Sequence, residues 1–403
     1  MKSRTASLTG QVVILLSILV LAAPARGQQT VRLGAGDTLT IGGFINATMF
    51  TDRGLFASFG QGQDAEIAAA PGSQPVTDEW FTKGDVRNTR LRFEFSGAPV
   101  LGEWSPKATL EADFFGGRDA PPFGDEQPRQ RLRLAYADLT NGRTTLRIGQ
   151  NWAPFFGEVP VSVSHIAFPL GYGSAGMVGW RFPGIFLYRD LNPGKSIPIQ
   201  VQLAALEGSG PTANASDGLS GIGNGEASAL PQLEGRVNFS HKTPSLAWSG
   251  YGVGHVDWKD TGGTGVAGDN LTSWGLEGGG SIAPGHFTLH GNVYYGRDMG
   301  QQFGHITQQG DIRGWGGWAQ GGYDFTPHLG AWLFYGSDQP DADRFTRDTG
   351  GTLLRQLNHD FAALLRFKAG RYALGAEYFR AETRWSTGQG LAEQYSLSVM
   401  YTL

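Results

Sequence analysis

Apolar and polar residues alternate with a period of two along most of the chain, a pattern typical of β-strands whose two faces meet different surroundings. The alternation recurs in sixteen segments, and no stretch of helical periodicity interrupts them. We therefore predict an all-β fold with strands near 38–50, 86–96, 106–115, 130–140, 143–152, 177–188, 197–206, 232–241, 246–258, 271–282, 286–296, 313–324, 328–336, 359–368, 371–382 and 393–403.

The connections between these strands alternate between long and short. Short ones carry turn residues, such as Asn141-Gly142 and Ala369-Gly370. Long ones span 51–85, 116–129, 153–176, 207–231, 259–270, 297–312, 337–358 and 383–392. Long outer loops and short periplasmic turns are typical of outer-membrane barrels. The sequence thus predicts a transmembrane antiparallel up-and-down β-barrel of about 16 strands, with both termini in the periplasm.

The alternation also predicts which side chains face lipid. In the last strand Tyr395, Leu397 and Val399 share one face, and Ser396 and Ser398 share the other. Hydrocarbon solvates neither charges nor unpaired backbone groups, so a spanning sheet must close and turn its polar face inward. We expect an apolar exterior around a polar lumen.

The first residues predict export. Lys2 and Arg4 precede the apolar run 12–23, and the small residues Ala25 and Gly27 suit a signal peptidase. We predict a signal peptide at 1–27 and a single barrel domain at 28–403. The chain has no cysteine, so disulfides do not hold this exported domain together.

The composition is consistent with a barrel and argues against some classes of binding partner. The chain has 62 glycines, 12% aromatic and 17% charged residues, as many strands, turns and aromatic belts require. Its net charge is −4, and removal of the predicted signal peptide lowers this to about −7, which argues against nucleic-acid binding. The predicted partners are outer-membrane lipid, the barrel-assembly machinery and small solutes.

Charged side chains concentrate on the predicted inner face of the second to fifth strands. The bases are Arg90, Arg92, Lys107, Arg131, Arg133 and Arg147, and the acids are Glu94, Glu111 and Asp113. Inward neighbours on adjacent strands lie about 5 Å apart, so Glu111 and Asp113 are expected to orient the arginines. The surplus of bases, with Asn151 at the end of the fifth strand, predicts a pore wall that prefers anions.

The third long connection, 153–176, has few charges and many apolar or small residues. An exposed loop would be more polar, so we predict that this one folds into the lumen as a constriction. Glu158 and His165 are its strongly polar residues. Each could anchor the loop to the wall or touch solute, and His165 could titrate near neutral pH.

Four runs in this region carry a resemblance to a known family: NTRLRFEF, LEADFFGG, QRLRLAYADL and RIGQNWAPFF, between Asn88 and Phe156. In order and spacing they resemble strands of DcaP-like trimeric outer-membrane porins. The resemblance implies a sixteen-stranded homotrimer whose pore favours small anions such as dicarboxylates. It also implies a pore-lining role for Arg90, Arg92, Arg131, Arg133 and Arg147, and for the strand end 149–152 that leads into the constriction.

Other functions remain open at this stage. An outer-membrane barrel enzyme, such as a lipase or deacylase, would need a serine, a base and an orienting group; Ser164-His165 and Ser240-His241 supply only the first two. A closed structural or adhesive barrel is a further alternative. Asp338, Asp341 and Asp343 could attract a hard cation, but we interpret them as a solvated acidic loop and predict no metal or cofactor.

Overall fold

The structure is a computed structural model. It describes residues 29–34, 36–57, 60–72, 79–100, 102–119, 127–208, 210, 222–260, 271–302, 310–341 and 355–403. The predicted signal peptide, 1–27, lies outside the described residues.

The described residues form many strands and very little helix. The strands are β1 (Gln29–Gly34), β2 (Asp37–Arg53), β3 (Phe56–Ala57), β4 (Ile67–Ala68), β5 (Trp80–Asp85), β6 (Arg90–Ser96), β7 (Ser105–Asp113), β8 (Arg118–Asp119), β9 (Gln127–Pro128), β10 (Arg131–Thr140), β11 (Thr144–Trp152), β12 (Arg181–Asp190), β13 (Ile199–Leu206), β14 (Gln232–Lys242), β15 (Leu246–Lys259), β16 (Leu271–Pro284), β17 (Phe287–Arg297), β18 (Arg313–Asp324), β19 (Leu329–Pro340), β20 (Arg355–Ala369), β21 (Tyr372–Trp385) and β22 (Gly388–Thr402). A helix, α1 (Asn224–Ala227), and two 3-10 turns, Gly62–Asp64 and Met299–Gln302, lie in connections. Within the described part of the chain, no helix is long and apolar enough to cross a bilayer.

The wall of the barrel consists of β2, β5 with β6, β7, and β10 to β22, each antiparallel to the next. β5 and β6 are two parts of one strand and pair with the same edge of β2. It closes where β2 pairs with β22, from Phe44 opposite Thr402 to Arg53 opposite Glu393. The other edge of β2 pairs with β6 and β5. The predicted fold, a closed transmembrane barrel of 16 strands, is confirmed.

Side-chain exposure follows the predicted alternation. Leu276, Val293 and Leu333 on the outer surface are 60%, 64% and 60% exposed. Polar side chains between such positions are buried in the lumen, among them Asn46, Glu234, Asn292, Gln320, Asp360 and Glu377. The barrel therefore presents apolar side chains to lipid and buries polar ones inside, as a bilayer requires.

Two predicted connections differ from the structure. The prediction of an eighth long connection at 383–392 is wrong, because β21 and β22 continue through these residues and turn at 386–387. These strand ends pair with each other and bind the first long loop, where Thr383 accepts the N–H of Ala68 and Trp385 donates to its carbonyl. The end of the predicted loop 51–85 is likewise strand β5, because its backbone pairs with β2.

Candidate functional site

The connection between β11 and β12, residues 153–180, folds into the barrel and crosses its lumen; we call it the constriction loop. Glu234 on β14 accepts the N–H of Phe155 at 2.8 Å. On another part of the wall, the amide of Gln320 on β18 accepts the N–H of Val161 at 2.7 Å and donates to its carbonyl at 2.9 Å. The predicted inward fold of this loop is confirmed.

Glu377 on β21 holds the middle of the constriction loop. Its carboxylate accepts the backbone N–H groups of Val163 and Ser164 and the hydroxyl of Ser162, each at 2.7 Å. An ionised carboxylate only accepts, so it matches three converging donors. One buried side chain thus satisfies three polar groups that the lumen would otherwise have to hydrate.

The return segment of the loop rests against β17 and β20, the neighbours of the strands that hold its first half. Asn292 on β17 donates to the carbonyl of Gly176 at 2.9 Å, and Asn358 on β20 donates to that of Ser174 at 3.0 Å. Gly176 has φ +91°, and a Cβ there would lie 2.3 Å from the backbone nitrogen of Gly317. Glycine is therefore required for this close approach of loop to strand.

Opposite charges meet on the inner face of β6, β7, β10 and β11. We call Arg90, Arg92, Arg131, Arg133 and Arg147 the arginine wall. Asp113 accepts two hydrogen bonds from Arg131, at 2.9 and 2.7 Å, and one from Arg133 at 2.8 Å. Asp113 is fully buried, so its contacts orient two guanidinium groups toward one point of the wall.

Glu111 is the second acid of this cluster. It accepts a hydrogen bond from Arg133 at 2.8 Å, while Arg90 and Arg92 lie 3.6 and 3.5 Å from it. Arg92 also pairs with Glu94 at 2.7 Å. Both Glu111 and Asp113 therefore bind several arginines each, the arrangement expected of orienting partners.

A β-bulge in β10 changes which residues face the lumen. Its pairing with β7 shifts between Leu132 and Leu134, so Leu132 is 50% exposed to lipid whereas Leu134 is buried. Beyond the bulge the inward positions include Asp138, which binds Arg147 on β11 at 2.7 Å. Period-two alternation missed Asp138, because an extra residue reverses the alternation without a signal in the sequence.

Arg181 is a further base that the sequence did not single out. It lies at the end of the constriction loop, is 5% exposed, and interacts electrostatically with Arg131 and Arg133. Its guanidinium carbon is 4.8 and 4.4 Å from the ring centres of Trp152 and Trp180. Among the described residues it has no carboxylate within 4.0 Å. The aromatic faces stabilise this cation in place of an acid.

The inward positions of β6, β7, β10 and β11, counted together with Arg181, hold seven bases and four acids, so the surplus of positive charge expected from the sequence for these strands stays at three. The bases are Arg90, Arg92, Lys107, Arg131, Arg133, Arg147 and Arg181, and the acids are Glu94, Glu111, Asp113 and Asp138. The surplus borders the constriction loop, because Arg131 lies 5.6 Å from the ring centre of Phe168.

Arg87 has the parity of the lipid-facing residues in the predicted strand 86–96, yet its side chain does not face lipid. The turn 86–89 interrupts the strand and buries this side chain to 4% exposure. Its guanidinium binds Asp85 at 2.6 Å and Asp64 at 2.8 Å, above the ring of Phe115. Arg87 thus joins the first long loop to the wall.

The other predicted site residues lie around the constriction loop. Asn151 is buried on the inner face and donates to the hydroxyl of Tyr188 at 3.2 Å. The carboxylate of Glu158 is half-buried beside β15 and accepts a hydrogen bond from Ser249 at 3.4 Å. Glu158 and Asn151 therefore contact different strands of the wall, β15 and β12.

The side chain of His165, in the middle of the constriction loop, packs against the barrel wall and not toward solute. It is 3% exposed and lies between the rings of Phe50 and Phe379, with Nδ1 2.9 Å from the hydroxyl of Ser164. Burial lowers the pKa of His165 to about 4. The ring is neutral at physiological pH, so this residue anchors the loop and does not supply a pH switch near neutrality.

The serine and acidic positions considered for catalysis or metal binding are also accounted for. Ser164 is fully buried, so a substrate has no access to its hydroxyl. His241, the partner of Ser240, binds the carbonyl of Ser196 at 2.7 Å. Asp338 is buried 3.7 Å from Arg355, and Asp343 lies outside the described residues. In the part of the chain that the structure describes, no three histidine, aspartate or glutamate side chains are grouped so that they could hold a metal ion.

Three solved structures of similar barrel fold include an outer-membrane channel and a porin. The outer membrane channel DcaP of Acinetobacter baumannii has a TM-score of 0.70 and 17% identity, covering 93% of this chain and 99% of that one. An anion-selective porin from Comamonas acidovorans has a TM-score of 0.54 and 11% identity, covering 91% and 100%. OprB of Pseudomonas putida has a TM-score of 0.51 and 11% identity, covering 90% and 94%.

No family model and no curated protein sequence matches this chain. At these identities the structural likeness establishes the fold, and the fold expected from the resemblance to DcaP-like porins is confirmed.

Proposed function

We propose that this chain is an outer-membrane porin through which small hydrophilic solutes diffuse, with a preference for small anions such as dicarboxylates. The observation that carries the proposal is the surplus of three positive charges beside the constriction loop of a closed barrel. Positive charge at the narrowest part of a pore raises the local concentration of anions and lowers their barrier to entry.

Three further features support the proposal. Barrels of sixteen strands are wide enough to leave an aqueous channel, whereas eight-stranded ones are filled by side chains. Arg92 keeps 34% of its side-chain surface exposed, so it can meet solute while still paired with Glu94. One of the similar structures is an anion-selective porin.

The reversal potential of the purified protein in a planar bilayer under a KCl gradient tests the proposal. We expect wild type to prefer chloride, and Arg90→Gln with Arg92→Gln to lower the permeability ratio of chloride to potassium roughly twofold or more, because two of the three surplus charges are lost. The barrel should still fold, since Glu111 keeps Arg133 as its partner.

The matched control is Arg53→Gln with Arg189→Gln, which removes two positive charges from the outer surface and should leave the ratio unchanged. A wild-type protein that passes no current would contradict the porin and favour a closed barrel. A current carried mainly by potassium would contradict the anion preference alone.

We also propose that the porin is a homotrimer inserted in the outer membrane after removal of residues 1–27. The resemblance in 88–156 supports this assembly, and solved porins of the same fold include a trimer form. We expect unheated protein in mild detergent to have about three times the monomer mass by light scattering. A monomeric mass under those conditions would contradict the trimer and leave the pore proposal intact.

A further inference from the structure

A second group of charged side chains, four basic and one acidic, lines the lumen on and beside β17 to β20. We call His286, Asp324, His328, Arg366 and Lys368 the vestibule cluster. These residues lie where β17 to β20 meet the short turns, and they surround a cavity of about 200 Å³. Short turns mark the periplasmic end of an outer-membrane barrel, so the cavity belongs to the periplasmic vestibule of the pore.

The two strong bases of the cluster face the lumen. Their neighbours Leu365 and Phe367 on β20 are 50% and 41% exposed on the outer surface, so Arg366 and Lys368 point inward. The guanidinium carbon of Arg366 lies 4.0 Å from the ring centre of Trp332, which packs against Val163 of the constriction loop. Arg366 therefore stands directly on the periplasmic side of the constriction.

The vestibule bases differ from the arginine wall in having no acid bound to them. In the part of the chain that the structure describes, neither Arg366 nor Lys368 has a carboxylate within 4.0 Å. Asp324 supplies the one carboxylate among the described residues that line the cavity. By contrast, all five arginines of the arginine wall have a carboxylate within that distance.

The geometry leaves these bases available to a ligand. The guanidinium of Arg366 lies over the ring of Trp332, and its N–H groups have no hydrogen-bond partner among the described residues, so they can donate to a ligand. His328 Nδ1 donates to the carbonyl of Lys368 at 2.9 Å, which fixes the turn between β18 and β19 against the end of β20. The cluster is thus held as one unit.

We propose that the vestibule cluster is a second anion-binding site, which takes a small polyvalent oxyanion on the periplasmic side of the constriction. Arg366 and Lys368 lie two residues apart on one strand, so their backbones are about 7 Å apart and their flexible ends can converge on one anion. The guanidinium binds one acidic group through paired hydrogen bonds and the ammonium binds another charge. This site is separate from the arginine wall and does not require an overall anion preference.

Block of the channel by an oxyanion added to one side of the bilayer tests the site. The current through single wild-type channels in KCl is measured while succinate or inorganic phosphate is added first to one compartment and then to the other. We expect block at lower concentration from one side, and at least about tenfold weaker block from that side in Arg366→Gln with Lys368→Gln, because two charged donors are lost. Succinate blocking better than phosphate would identify a dicarboxylate as the ligand, and the reverse a phosphate.

Two further variants separate loss of this site from a general loss of positive charge. Arg143→Gln with Lys195→Gln removes two exposed charges from short connections at the same end of the barrel, away from the cluster, and should keep the wild-type block. Arg366→Lys keeps the charge and should give intermediate block. Unchanged sided block in Arg366→Gln with Lys368→Gln, or no block of wild type, would overturn the site. Failure of the proposed anion preference would instead appear in the reversal potential of wild type without added oxyanion.

Discussion

Replacing Glu377 with alanine is expected to raise the single-channel conductance severalfold and to add slow current fluctuations. The carboxylate accepts three hydrogen bonds from the constriction loop, at Ser162, Val163 and Ser164. Without it these three donors lose that acceptor, at a cost of about 1–3 kcal/mol for each one left buried and unpaired. The N–H of Ser164 keeps the hydroxyl of Ser162 as a second acceptor at 3.2 Å. The loop can avoid this cost by leaving the wall, which widens the pore.

Conductance in a planar bilayer measures the effect, with heat-modifiable electrophoretic migration as the check on folding. Glu377→Gln should give a smaller increase, because its amide keeps one acceptor oxygen. Glu393→Ala is the matched control: this carboxylate on the neighbouring strand binds Arg53 and Tyr378 on the outer surface and should leave conductance unchanged. Wild-type conductance in Glu377→Ala would show that other contacts hold the loop.

The alternation of apolar and polar residues was sufficient to predict the barrel because lipid and lumen impose opposite demands on successive residues. It failed where local geometry departs from a regular strand. The bulge between Leu132 and Leu134 reverses which positions face inward, so regular alternation assigns Asp138 to the wrong face. The turn 86–89 rotates Arg87 from the outer face into a buried site.

The arginine wall could be located from the sequence, but its partners could be only partly assigned. Glu111 and Asp113 were expected to orient arginines, since they lie opposite them in register. The position of Arg181 depends on how the constriction loop re-enters the wall, which is a tertiary property. The contacts of Glu377 with that loop join residues more than two hundred positions apart, and no local pattern encodes such a pairing.

Replacing Arg87 with methionine is expected to lower the free energy of unfolding by about 3–5 kcal/mol, the cost of leaving buried charges unpaired. Arg87 is 4% exposed and binds both Asp85 and Asp64, whose side chains are also buried. Methionine preserves much of the volume over the ring of Phe115 but supplies no donor. Denaturant unfolding of the reconstituted protein, followed by tryptophan fluorescence, measures the loss.

Replacing Asp64 and Asp85 with asparagine tests whether unpaired charge causes the loss of stability in Arg87→Met. Adding Asp64→Asn and Asp85→Asn to Arg87→Met should recover part of the lost stability, because amides bury at a lower cost than unpaired carboxylates. Arg53→Met is the matched control: its side chain is 43% exposed and pairs with Glu393 at 3.4 Å, so the loss should be within about 1 kcal/mol. Equal losses in Arg87→Met and Arg53→Met would contradict the buried ion pairs, whereas a large loss without recovery would assign the effect to packing over Phe115.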